Sequence, residues 1–165
     1  MLSGAARAKD LLNGVPNRFY DFSRMDQFTF VQLADWCIEN VQSTTGEDVS
    51  IEECLLIFLD IVGHGTSFKS AAQTWGHNEE LIKKIFLQVI EVLRVLREQD
   101  ELSPTCPTFS MTKNKWRVLK TWRPSRKAEG YARVGEDVGD GLEVKQEEMI
   151  EVLTALNNFI HEHKE

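Results

Sequence analysis

The stretch Ser67-Phe68-Lys69-Ser70-Ala71-Ala72-Gln73-Thr74-Trp75-Gly76-His77-Asn78-Glu79-Glu80-Leu81-Ile82-Lys83-Lys84-Ile85-Phe86 decides how this chain folds. Thr66 or Ser67 offers a hydroxyl that can cap a helix over Phe68–Trp75. Gly76-His77-Asn78 reads as a tight turn, with glycine where a left-handed backbone costs least. Glu79–Glu98 then reads as a long helix. Its apolar residues Leu81, Ile82, Ile85, Phe86, Val89, Ile90, Val92, Leu93 and Leu96 recur mostly at helical spacing. A helix-turn-helix needs a small residue at the crossing point, glycine in the turn and apolar residues that pack the second helix back on the first. Ala72, Gly76, Ile82 and Ile85 meet those needs. An ordinary helical hairpin uses the same four positions, so this pattern alone leaves both readings open.

Working towards the N-terminus, Ser50-Ile51-Glu52-Glu53 is a capping-box pattern ahead of Cys54-Leu55-Leu56-Ile57-Phe58-Leu59-Asp60-Ile61-Val62. That run is apolar nearly all round, which predicts a central buried helix over Glu52–Val62, ended by Gly63 and Gly65. Met25–Val41 predicts an earlier helix. It has Asp26 as a cap and Phe28, Val31, Leu33, Ala34, Cys37, Ile38 and Val41 as its apolar positions. Residues 1–18 hold Gly14, Pro16 and Asn17 and read as a flexible lead-in.

Towards the C-terminus, Pro104 and Pro107 end the helical pattern. Residues 103–141 read as a linker, first basic and then rich in glycine. Residues 142–165 predict a final amphipathic helix, separate or loosely docked, with Ile150, Leu153, Leu156, Phe159 and Ile160 on one side. The expected architecture is mostly α. A compact domain of four or five helices over residues 19–102 contains the helix-turn-helix, and the linker and one C-terminal helix follow.

The chain has 165 residues, 42% of them hydrophobic and 27% charged, ordinary values for a globular domain. No apolar run approaches the length of a membrane span, and the N-terminus lacks the apolar stretch of a secretory signal. Three cysteines, Cys37, Cys54 and Cys106, are odd in number and far apart. They outline neither a disulfide framework nor a zinc site. His64 and His77 read as polar turn residues, with no cysteine or acidic partner at ligand spacing. No phosphate-binding glycine loop precedes a helix. No metal and no cofactor is implied.

Net charge is −7 but unevenly spread. Residues 103–134 carry eight basic side chains and one acidic, whereas residues 135–165 carry two and nine. The overall field repels DNA, so any nucleic-acid contact has to be local. If the second helix of the motif reads duplex DNA, its N-terminal part faces the major groove. His77, Asn78, Lys83, Lys84 and Gln88 are then the candidates, with Lys69 on the preceding helix. Asn78 or Gln88 has the geometry to pair with adenine, and Lys83 or Lys84 to reach phosphate or guanine. Glu79 and Glu80 are poor phosphate neighbours. Lys113, Lys115, Arg117, Lys120 and Arg123, interleaved with Trp116 and Trp122, suit phosphate contact with stacking or a nuclear-import patch. They equally suit a segment inherited from a helix that once packed elsewhere.

The block Phe19–Leu96 resembles the N-terminal domain of PIF/Harbinger-type transposases and their domesticated relatives. The likeness lies in Met25-Asp26-Gln27-Phe28-Thr29-Phe30-Val31-Gln32-Leu33, in Ser50-Ile51-Glu52-Glu53-Cys54-Leu55-Leu56-Ile57-Phe58-Leu59, in Val62-Gly63-His64-Gly65 and in Ser67–His77. Lys69 stands where the family's turn segment has arginine. Asn78-Glu79-Glu80-Leu81-Ile82-Lys83-Lys84 replaces its S-x-x-T-I-S-R helix start. Lys115-Trp116-Arg117-Val118-Leu119-Lys120 and Ala155-Leu156-Asn157-Asn158-Phe159-Ile160-His161-Glu162-His163 look like the last segments of the family's nuclease domain.

The resemblance implies a nuclear DNA-binding protein, while the missing secretory signal and the scattered cysteines imply a chain that is nuclear or cytoplasmic and not secreted. The resemblance also implies that the chain is not an enzyme. The family's D-G-T-H motif is missing, and no carboxylate lies in Ser103–Asn114 ahead of the tryptophan segment. The space between the two resembling blocks is too short for an α/β nuclease domain, which takes on the order of 100 residues. Two-metal phosphodiester chemistry needs converging carboxylates. Family members work with a separate Myb/SANT-like protein, so a second implied role is a non-enzymatic interaction module, or a truncated remnant, that binds such a partner rather than DNA.

Overall fold

The computed structural model describes residues 3–40, 49–101, 152, 153, 155, 156 and 158–160. Its helices run in the order α1 (Gly4–Leu12), α2 (Pro16–Ser23), α3 (Gln27–Asn40), α4 (Ile51–His64), α5 (Phe68–Trp75) and α6 (Glu79–Glu101). The described residues between 152 and 160 are helical as well, and none of the described residues forms a strand. The fold is all-α.

The apolar run after Ser50 becomes the hub. Every residue of α4 from Glu53 to Gly63 is buried, and α1, α2, α3, α5 and α6 all pack against it. A helix apolar on every side can satisfy each side only when it is surrounded. Ser50 caps it as predicted, its Oγ accepting from the Glu53 N–H at 3.2 Å. Glu52 and Glu53 lie in its first turn, where carboxylates interact favourably with the helix dipole. Gly65 alone ends it, in the left-handed conformation with φ 67°. Gly63 stays within the helix, and its carbonyl accepts from Arg24 Nη2 at 3.1 Å.

Residues 1–18 are not a loose lead-in. Ser3 caps α1 by accepting from the Ala6 N–H at 3.3 Å, and Ala8, Leu11 and Phe19 are core residues. The inward side of α1 is built from Gly4, Ala8 and Leu11, too small a set to give a strong periodic signal. Pro16 starts α2 at its first position, where its missing N–H costs nothing. Gln27 Nε2 donates to the carbonyls of Leu12 at 2.9 Å and Gly14 at 3.3 Å, tying the α1–α2 loop to α3.

Asp26 caps α3, its Oδ1 accepting from the Thr29 N–H at 2.7 Å and its Oδ2 from the Thr29 hydroxyl at 2.9 Å. The apolar positions of α3 divide into two stripes. Phe30, Leu33, Ala34 and Cys37 face the core, with Phe30 meeting Phe19 edge-on at 5.2 Å between ring centres. Phe28, Val31 and Ile38, which the spacing grouped with the core, lie outside it.

The C-terminal helical residues are not loosely docked. Val152, Leu153, Ala155, Leu156, Phe159 and Ile160 belong to the same buried cluster as α4. Each large apolar side chain so buried contributes about 1.5–3 kcal/mol relative to exposure. An apolar stripe on a lone helix is unstable in water, so it finds the nearest open side of the core.

Candidate nucleic-acid and partner interface

The α5–α6 connection forms as its residues dictate. Ser67 is the cap of α5, accepting from the Ser70 N–H at 3.1 Å, while the Thr66 hydroxyl donates instead to Asp60 Oδ1 at 3.0 Å. Gly76 takes the left-handed conformation at φ 71°. The following His77 N–H closes the turn on the Ala72 carbonyl at 3.0 Å. Ala72, Ile82 and Ile85 are buried where α5 and α6 meet. The aromatic rings of Phe58 on α4 and Phe68 on α5 both meet Phe86 on α6, at 5.3 and 5.4 Å between centres.

The candidate readers are used differently from one another. Asn78 Oδ1 accepts from the Leu81 N–H at 2.7 Å, which makes the side chain the N-cap of α6. His77 Nε2 donates to Glu53 Oε1 at 2.6 Å. Lys83 Nζ pairs with Glu79 Oε1 at 3.1 Å. Gln88 is half-buried, and its Oε1 is enclosed without a hydrogen-bond partner. Lys69 and Lys84 are exposed. Exposed Glu79 and Glu80 offset Lys83 and Lys84 across the first turns of α6. Lys113, Lys115, Arg117, Lys120 and Arg123 lie outside the described residues.

Two buried carboxylates anchor the region. Glu53 is 1% exposed and Asp60 7%. Burying a charge this deeply is tolerable only when it is paired or hydrogen-bonded. Asp60 Oδ2 accepts from Trp75 Nε1 at 2.9 Å, and its other oxygen serves Thr66. Glu53 reaches His77 across the fold rather than turning back to its own cap, so the capping box is half formed. Gly4 lies so close that a Cβ there would come within 1.8 Å of Glu53 Oε1 and 2.8 Å of the Trp75 carbonyl oxygen. The Arg7 guanidinium sits over the Trp75 ring, 5.3 Å from its centre. The result is a polar seam joining α1, α4, α5 and the turn before α6. Asp60, a lone carboxylate within an apolar run, was its one visible sequence signal. Nothing in the spacing pointed from Glu53 to His77.

His64 donates from Nε2 to the Phe22 carbonyl at 2.8 Å. Cys37 and Cys54 are buried free thiols. Burial pushes both up to about 12, helped at Cys54 by the neighbouring Glu53 charge. Such thiols stay protonated and are poor nucleophiles. Among the described residues no three histidine, cysteine or acidic side chains cluster to hold a metal ion, and no helix is long and apolar enough to cross a membrane.

The fold and this connection define an all-α domain centred on one buried helix, with a helical hairpin on its flank. The chain belongs to the family described as domain of unknown function (DUF8040), which residues 1–95 match. The matched span takes in α1 to α5 and α6 as far as residue 95. No curated protein and no solved structure matches the chain.

Proposed function

We propose that this chain is a non-catalytic, transposase-derived nuclear adaptor that meets duplex DNA through the basic stretch 113–127, with the α5–α6 hairpin as scaffold. One observation carries this reading: three of the candidate readers at the start of α6 already have other work. Asn78 is the cap, His77 is bound to Glu53 and Lys83 to Glu79. A base-reading side chain has to offer its donors and acceptors to the groove. The first turns of α6 also hold as many carboxylates as lysines, so they attract no phosphate at long range. The basic stretch, by contrast, places Lys113, Lys115, Arg117, Lys120 and Arg123 beside Trp116 and Trp122. That composition serves phosphate contact and stacking without base selection.

Two full-length variants test it, measured by fluorescence anisotropy on a labelled mixed-sequence duplex. Lys83→Glu with Lys84→Glu is expected to leave affinity within about twofold. Exchanging Lys115, Arg117, Lys120 and Arg123 for glutamine is expected to weaken binding at least tenfold. The reverse order of effects would sink this reading in favour of the second one, recognition by α6. The second reading is supported by the hairpin geometry and by the exposure of Lys69 and Lys84.

A protein partner of the Myb/SANT-like kind remains a proposal for the adaptor's other contact. Val152, Leu153, Ala155, Leu156, Phe159 and Ile160 are taken up by the core, so such a partner has to use another surface.

A further inference from the structure

Among the described residues, three of the exposed large apolar side chains lie in one outward stripe on α3. Phe28, Val31 and Ile38 are 48, 46 and 55% exposed. On a 3.6-residue helix they share one face with Asp35, which falls between Val31 and Ile38. Glu39 lies at the edge of that face, and both carboxylates are exposed. α3 carries no lysine and no arginine. The stripe is about 15 Å long at 1.5 Å per residue. Three apolar side chains in line, bordered by one sign of charge, mark a surface meant to be covered.

A second copy is a poor cover. Packing α3 on α3 brings Asp35 and Glu39 of one chain towards the same carboxylates of the other, and like charges at an interface oppose association. The complement lies in the chain itself. Lys113–Arg123 holds five cations, no carboxylate, and the apolar residues Trp116, Val118, Leu119 and Trp122. Its composition is the counterpart of the α3 face, in both charge and apolar content. The tether is long enough. Residues 102–112 separate it from the end of α6, and that length of extended chain spans about 40 Å. The whole of α6 measures only about 35 Å.

We propose that the outward face of α3 is the docking site of Lys113–Arg123 of the same chain. Trp116, Leu119 and Trp122 cover Phe28, Val31 and Ile38, and the segment's cations meet Asp35 and Glu39. The inference deepens the adaptor reading, because a polyanion then has to displace the segment from α3 before binding it. The docking itself does not depend on DNA.

Hydrogen exchange read by mass spectrometry on the full chain, without nucleic acid, tests the docking directly. Wild-type amides in 115–122 are expected to exchange at least tenfold more slowly than an unstructured reference peptide. Val31→Lys with Ile38→Lys should abolish that protection while α4 keeps its own, which shows that the fold is intact. Free exchange of 115–122 in the wild type overturns the proposal, and so does protection that survives the α3 variant. Protection that disappears on dilution, with a matching loss of dimer mass, assigns the face to a second copy and also overturns it. Since no DNA is present, failure here leaves the adaptor reading standing. Failure of the anisotropy test likewise leaves the docking measurable.

Discussion

Replacing Gly4 by alanine should destabilise this protein, although alanine is the better helix former. At a helix interior the exchange gains about 0.5–1 kcal/mol. At Gly4, the first residue of α1, the gain is smaller still. The added methyl would stand 1.8 Å from Glu53 Oε1 and 2.8 Å from both Glu53 Cδ and the Trp75 carbonyl oxygen. None of these atoms yields freely. Trp75 O is backbone at the end of α5, and the Glu53 carboxylate is held by His77 at 2.6 Å inside the fold. Over-packing of this kind costs about 1–3 kcal/mol. If relief comes by pulling Glu53 off His77, a buried carboxylate loses its partner, which costs about 3–5 kcal/mol. The protein will take the cheaper route, so a net loss of about 2 kcal/mol is expected, or roughly 4–8 °C in Tm for a chain of this size. Urea unfolding followed by circular dichroism reads it directly. A double-mutant cycle with Glu53→Ala locates the cause. The cost of Gly4→Ala should fall when Glu53 is short but should not vanish, because the Trp75 carbonyl remains. A neutral or stabilising Gly4→Ala would refute the close approach of α1 to α4.

Asn78→Ala should cost about 1 kcal/mol through loss of the α6 cap and leave duplex affinity unchanged, as denaturation and anisotropy on the same sample would show. On α3 the two stripes should separate cleanly. Leu33→Ala, from the core stripe, should cost about 2–5 kcal/mol in urea unfolding, whereas Val31→Ala on the outer stripe, covered at most by the docked segment, should cost about 1 kcal/mol or less. Cys37 and Cys54 should resist thiol reagents at pH 8 and react once denaturant opens the core. Their neutral thiols are favoured by the fold, with folded values near 12 against 9.0 for a free thiol. Their contribution to stability is therefore complete below about pH 9 and lost as pH rises towards 12, which unfolding curves across alkaline pH would register.

What the sequence made legible was whatever local chemistry decides. Ser50, Ser67 and Asp26 announced helix starts, and each caps one. The apolar run of α4 announced burial on every side, and it is the hub. The hairpin was legible because Gly76 needs a positive φ and Ala72, Ile82 and Ile85 need to be small or apolar, all of them properties of single residues. α1 was not legible because Gly4 and Ala8 pack by being small, and smallness leaves little trace in a hydrophobic pattern. The outer stripe of α3 misled for the opposite reason: Phe28, Val31 and Ile38 repeat at helical spacing just as the core stripe does. Only the side turned towards α4 tells the two apart. Of the candidate readers, His77 and Lys83 face partners the reading did not pair them with. Glu53 is far from His77 in sequence, and Lys83 meets Glu79 one turn earlier. Asn78 was read as a base contact, yet it stands where asparagine is a favoured cap.

The most direct test of the account is the salt dependence of duplex binding by the unmodified chain. Each phosphate contact contributes about 0.9 to the slope of log K against log salt. The five to seven cations of the stretch 113–127 predict a slope of about −4 to −6, the same for duplexes of unrelated sequence. A shallow slope, or tight binding to one sequence over others, would contradict an adaptor that holds DNA by phosphate contact alone.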